Sequence, residues 1–125
     1  MFENLPELAE LYAGGTLIGL TGKEFKQAES ASTVNNLIAI QAFLETEQPT
    51  RTLEIGLAFG ASCLLIADYH RIRSMDGASH IAIDPFQDTV WDGCCTTQIG
   101  KKWSFPMGDY SNEALQCRVS STPRR

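Results

Sequence analysis

The chain has no apolar run approaching the ~20 residues that a membrane-spanning helix needs, and it has no excess of positive charge. Its 125 residues hold ten Lys+Arg against fifteen Asp+Glu, a formal charge of −5 and a pI near 4.9. That balance argues against a nucleic-acid backbone or an anionic membrane surface as the main partner. The opening residues, MFENLPELAELYAGG, carry Glu3, Glu7 and Glu10 where a signal peptide needs positive charge and then an apolar stretch. A cytoplasmic location is therefore the expectation. The cysteines build no framework either. Cys63 lies in an apolar helical run, Cys94 and Cys95 are adjacent, and Cys117 is near the end. There is no Cys-x-x-Cys, and His70 and His80 lack the spacing of a metal-binding pair. The thiols read as buried or incidental residues of a reducing compartment, and no metal site is expected. No internal repeat is present.

What the chain does have is enough apolar sequence, 43% of its residues, for one modest core. Residues 3–12 predict a short helix with Leu5, Leu8 and Leu11 on one face, stopped by Gly14-Gly15. Residues 14–32 read as loop. Within them GLTGKE resembles a phosphate loop only superficially, with Leu17 in place of the first glycine and Glu24 after Lys23. A stronger helix is expected from Thr33 to Glu45, capped by Ser30 or Ser32, with Val34, Leu37, Ile38, Gln41 and Leu44 inward. Pro49 ends it. Arg51–Ile55 reads as a strand, Gly56–Gly60 as a tight turn, Ala61–Arg71 as a helix and HIAID, ending at Asp84, as a second strand. Beyond Asp84 the pattern weakens. A helix over 90–101, a strand at WSFPM broken by Pro106, and a short helix capped by Ser111 or Asn112 are expected, followed from residue 116 by a disordered tail. Helices alternating with strands predict an α/β fold with a parallel sheet and helices on both faces.

The stretch TLEIGLAFGAS, residues 52–62, carries the chemistry. Glu54 stands inside what reads as the most buried strand. Unpaired carboxylates are almost never fully buried, so groups with hydrogen-bond donors should meet it. Ligands of open parallel sheets sit outside the carboxyl ends of the strands, which here means the loop Gly56–Gly60. Gly56 permits the sharp turn, Gly60 lets the next helix start hard against the strand, and Ser62 falls in that helix's first turn, where free amides favour an anionic group. A dinucleotide site wants G-x-G-x-x-G, yet its middle glycine is Ala58 here, and Glu54 would repel a pyrophosphate. A ligand with a cationic or donor group suits the site better. Asp84, at the tip of the second strand, can accept from both hydroxyls of a ribose. Read blandly, Asp84 is an ordinary strand-end carboxylate and Asp109 a turn residue. On the same reading Trp91, Trp103 and Phe105 pack, and His70 and His80 are core or surface histidines.

TLEIGLAFGASCLLIA followed by HIAIDPFQ resembles the class I S-adenosylmethionine-dependent methyltransferases, in particular their small-molecule O-methyltransferase-like branch. The resemblance spans residues 33–115 and implies a Rossmann-like, doubly wound sheet of which this chain supplies about three strands. Residues 1–32 would then form a lid or substrate-side segment. It implies S-adenosylmethionine as cofactor, with Glu54, Gly56 and Gly60 framing its methionine end, Ser62 near its carboxylate and Phe59 also among the cofactor-binding residues. Asp84 would lie on the ribose, Phe86 beside the adenine, and Gly108 and Asp109 of GDYSNEAL near the adenine edge. A small-molecule methyl acceptor is implied; no catalytic residue is assigned. The family's fourth strand, which lies beside the first, has no counterpart after Leu115. A truncated enzyme is thus expected, with an open strand edge through which the chain could pair with a second copy. The alternative is a non-catalytic Rossmann-like nucleotide-binding or interaction module.

Overall fold

The computed structural model describes residues 5–14, 16–26, 32–73, 79–86, 89–92 and 115–120. Pro6, tolerated at a first helical position because it lacks a backbone N–H, opens helix α1 (Pro6–Tyr12). Leu5, Leu8 and Leu11 are buried along it, as their spacing predicts. Residues expected to be loop form an antiparallel hairpin, β1 (Thr16–Ile18) with β2 (Glu24–Lys26). Strands of three residues leave almost no periodic signal. Only Leu17 is buried and Phe25 packs against the core, so the hairpin adheres through few side chains.

Helix α2 (Val34–Glu47) starts on Thr33, not on Ser30 or Ser32. The Thr33 hydroxyl accepts from the Asn36 amide at 3.2 Å, satisfying one of the amides that a helix start leaves unpaired. Leu37 and Leu44 are buried and Ile40 half-buried, whereas Val34 and Ile38 face outward more than their spacing predicts. The helix closes at Gln48, a left-handed residue just before Pro49. Next come β3 (Arg51–Ile55), α3 (Ala61–Arg73) and β4 (Ser79–Asp84), with β3 and β4 parallel from Arg51 opposite Ser79 to Ile55 opposite Ile83. Helix α3 is central. Cys63, Leu64, Leu65, Ala67 and His70 are buried on it, and it packs on α1, α2 and β4.

The sheet's third strand corrects the sequence reading twice. It is β5 (Leu115–Ser120), in the stretch expected to end a helix and become a disordered tail, and it runs antiparallel to β4. Residues 115–120 alternate Leu-Gln-Cys-Arg-Val-Ser, the period of two that marks a half-buried antiparallel strand. WSFPM and nearly all of the helix expected over 90–101 lie outside the described residues. The described residues are thus mixed α/β with two small sheets, an antiparallel pair and a three-stranded sheet in the order β3-β4-β5. Among the described residues strand β3 is an edge rather than the most buried strand. Thr52 and Glu54 turn inward, while Leu53 and Ile55 are 61% and 79% exposed. No helix among the described residues is long and apolar enough to cross a membrane.

Candidate functional site

The loop Gly56–Gly60 joins β3 to α3 at the carboxyl ends of the two parallel strands. The Gly56 amide donates to the Ile83 carbonyl at 2.7 Å, extending the ladder one step past the strand. Gly56 and Gly60 then take φ of +87° and +85°, which only glycine adopts without strain. At Gly56 a Cβ would meet nothing within 4 Å, so conformation and not crowding demands the glycine. The Gly60 amide returns to the Leu57 carbonyl at 2.7 Å, and its own carbonyl accepts the first helical bond of α3 from Leu64. Between them Ala58 sits at φ +46°, the left-handed region that favours glycine.

Asp84 fastens this loop. Its Oδ2 accepts from the amides of Leu57 and Ala58, both at 3.0 Å, and its Oδ1 from the Phe86 amide at 2.9 Å. The side chain is 2% exposed. The acidic tip of β4 therefore pins the tip of β3, and a ribose diol would share these oxygens with backbone amides. Phe86 is 55% exposed at the same end of the sheet. Phe59 is a core residue, its ring edge-on to Phe25 at 5.5 Å and to Trp91 at 5.1 Å. Trp91 packs, as expected. Gly108 and Asp109 lie outside the described residues, as do Trp103 and Phe105.

Glu54 is met by side chains rather than by loop amides. It accepts from the Ser62 hydroxyl, and its Oε2 lies 3.1 Å from His80 Nε2. The polar chain continues inward. His80 Nδ1 is 2.9 Å from Thr52 Oγ1, and Thr52 Oγ1 is 2.8 Å from His70 Nε2. His80 and His70 are buried. Because an ionised carboxylate only accepts, His80 Nε2 carries a proton, and in the neutral ring Nδ1 accepts from Thr52. His70 Nε2 then donates to Thr52, and His70 Nδ1 is a buried lone pair without a partner. Burial, with the nearby His80 adding to it, pushes the His70 pKa below its ordinary 6.5 and holds the ring neutral. Cys63 stands one residue past Ser62, and one ligand atom each from Glu54, Cys63 and His80 fall within 4.8 Å of one another.

The sequence reading singled out Glu54, Ser62 and Asp84, and the fold brings Glu54 to Ser62 and Asp84 to the loop. His80 as the partner of Glu54, and Thr52, His70 and Cys63 as the residues around that pair, escaped it. Their signal was the period of two, which puts Thr52 with Glu54 and His80 with Asp84 on one face of the sheet. A cavity of about 410 Å³ lies elsewhere, among α1, α2 and α3, bounded by Leu5, Gln41, Leu44, Asp68 and Tyr69. None of the loop residues lines it. Compared with known proteins, the chain matches no family model, no curated protein and no solved structure.

Proposed function

We propose that the chain is the cofactor-binding part of an S-adenosylmethionine-dependent methyltransferase with a small-molecule acceptor, built on a Rossmann-like sheet. One observation carries the reading: the glycine-bearing turn after β3 is tied by Asp84 to the end of the parallel neighbour β4. Ligands of open α/β sheets settle at such strand ends. The methionine end would rest over Gly56, Gly60 and the first turn of α3, and the exposed ring of Phe86 offers the adenine a flat apolar face. Asp84 would share its oxygens between the loop and the ribose. Glu54 enters this reading indirectly, through its hold on Ser62 at the helix start.

The chemistry of such a protein is in-line transfer of a sulfonium methyl to a nucleophile, for which the protein's share is mostly positioning. No residue of this chain is assigned as the base. The exposed edge of β3 is where a second copy would add its own strand.

Calorimetric titration tests the reading. S-adenosylhomocysteine and S-adenosylmethionine should bind one site, and NAD should bind more weakly than either. Tighter binding of NAD, or no heat from the two sulfur cofactors, overturns it.

A further inference from the structure

Glu54, Cys63 and His80 come from three different elements, β3, α3 and β4, and their side chains converge beneath the sheet. A carboxylate, a thiol and an imidazole form a mixed oxygen, sulfur and nitrogen donor set. That set suits zinc-class divalent metals and disfavours magnesium and calcium, which take oxygen ligands. A tetrahedral zinc centre with bonds near 2.0–2.3 Å separates its ligand atoms by roughly 3.3–3.8 Å. Here Glu54 Oε2 and His80 Nε2 are 3.1 Å apart, and all three donors fall within 4.8 Å, so small side-chain rotations would complete the site.

We propose that Glu54, Cys63 and His80 bind a zinc-class divalent metal ion, through a carboxylate oxygen, Sγ and Nε2. The surrounding bonds already orient the ligands. Bound at Nε2, His80 must carry its proton on Nδ1, and Thr52 Oγ1 at 2.9 Å accepts it. Thr52 can at the same time accept from His70 Nε2 and turn its own proton to the Ser79 carbonyl at 3.5 Å. Nothing in that chain is left with an orphaned donor. Ser62 holds the other oxygen of Glu54. On binding, Cys63 releases its thiol proton to solvent. A dication with one carboxylate, one thiolate and one neutral imidazole sums to zero, so the site would bury no net charge. Cys63 also sits on the first turn of α3, where the helix dipole favours a negative ligand. Water would complete the coordination. The proposal does not depend on the cofactor reading, whose loop, Asp84 and Phe86 supply no ligand.

Cobalt(II) is the probe, since a thiolate ligand gives it a charge-transfer band in the near ultraviolet and four-coordination gives strong visible bands. The full chain, stripped with chelator, should take up one equivalent with both. The variant Cys94→Ser, Cys95→Ser, Cys117→Ser leaves Cys63 as the sole thiol and should keep them. Cys63→Ser should lose the charge-transfer band, and Thr52→Val should weaken cobalt binding about 10- to 100-fold while keeping its spectrum. Absence of the band in the variant with Cys63 alone overturns the proposal. So does a band that survives Cys63→Ser.

Discussion

Asp84 is the residue whose role the structure changes most. Its carboxylate takes three backbone amides. Asp84→Ala would take the acceptor from the buried Leu57 amide, at a cost of about 1–3 kcal/mol. Urea denaturation should show a loss of that order, and hydrogen exchange at Leu57 and Ala58 should accelerate even where the chain still folds. Unchanged exchange there would mean that Asp84 does not hold the loop. Ala58 carries the opposite expectation. Ala58→Gly removes a left-handed Cβ worth roughly 1 kcal/mol but adds freedom to the unfolded chain, so thermal unfolding should shift little or slightly upward. Valine there should lower stability. His70 gives a pH signature. Folded, it stays neutral; unfolded, it takes a proton near its ordinary 6.5, so below that value the unfolded chain binds more protons. Its contribution is whole above pH 6.5 and is lost as pH falls. His70→Gln should flatten the decline in stability as pH falls below 6.5 relative to the parent chain.

Among the elements, α1, α2, β3, α3 and β4 were legible because each carries a period or a stop written in local residues. Leu5, Leu8 and Leu11 recur on one helical face, and Pro49 and Gly56 end what precedes them. The hairpin was not, because what holds it lies far along the chain. Asp92 accepts from the Thr21 amide and hydroxyl and from the Lys23 amide, and its main-chain carbonyl accepts from Leu20 at 2.7 Å. The Thr21 hydroxyl, aided by those amides, holds the Asp92 carboxyl below its ordinary 3.8. This clasp is therefore present above pH 3.8 and lost as pH falls below it. Asp92→Ala should speed proteolytic cleavage within residues 19–23 and leave global unfolding nearly unchanged. Equal cleavage of both proteins would show that the hairpin stands without its clasp. Strand β5 was missed although its alternation is plain, because the Ser, Pro and Arg residues after it drew the whole segment into a tail. The β3 edge makes its own prediction. Leu53 and Ile55 face outward, and among the described residues no strand pairs with the outer side of β3. Sedimentation should show concentration-dependent self-association, and Ile55→Lys should shift it toward monomer. A parent chain monomeric at every concentration would show that this edge recruits no second copy.

At the scale of the whole molecule, the candidate site was half legible. The turn at Gly56–Gly60 and the acid at Asp84 could be read from order and spacing, since both belong to strand ends. The cluster of Glu54 with His80 and Cys63 could not, because spacing rules describe ligands within one segment and these three meet only through the fold. The same division bears on function. The proposed cofactor site draws on the legible half, the ends of β3 and β4, and no residue of either half is assigned as a base. The most direct test of the cofactor reading is amide chemical-shift mapping by NMR during titration with S-adenosylhomocysteine. The account predicts shifts confined to residues 56–62 and 84–86. Shifts gathered instead around Leu5, Gln41 and Tyr69, at the cavity among the helices, would contradict it.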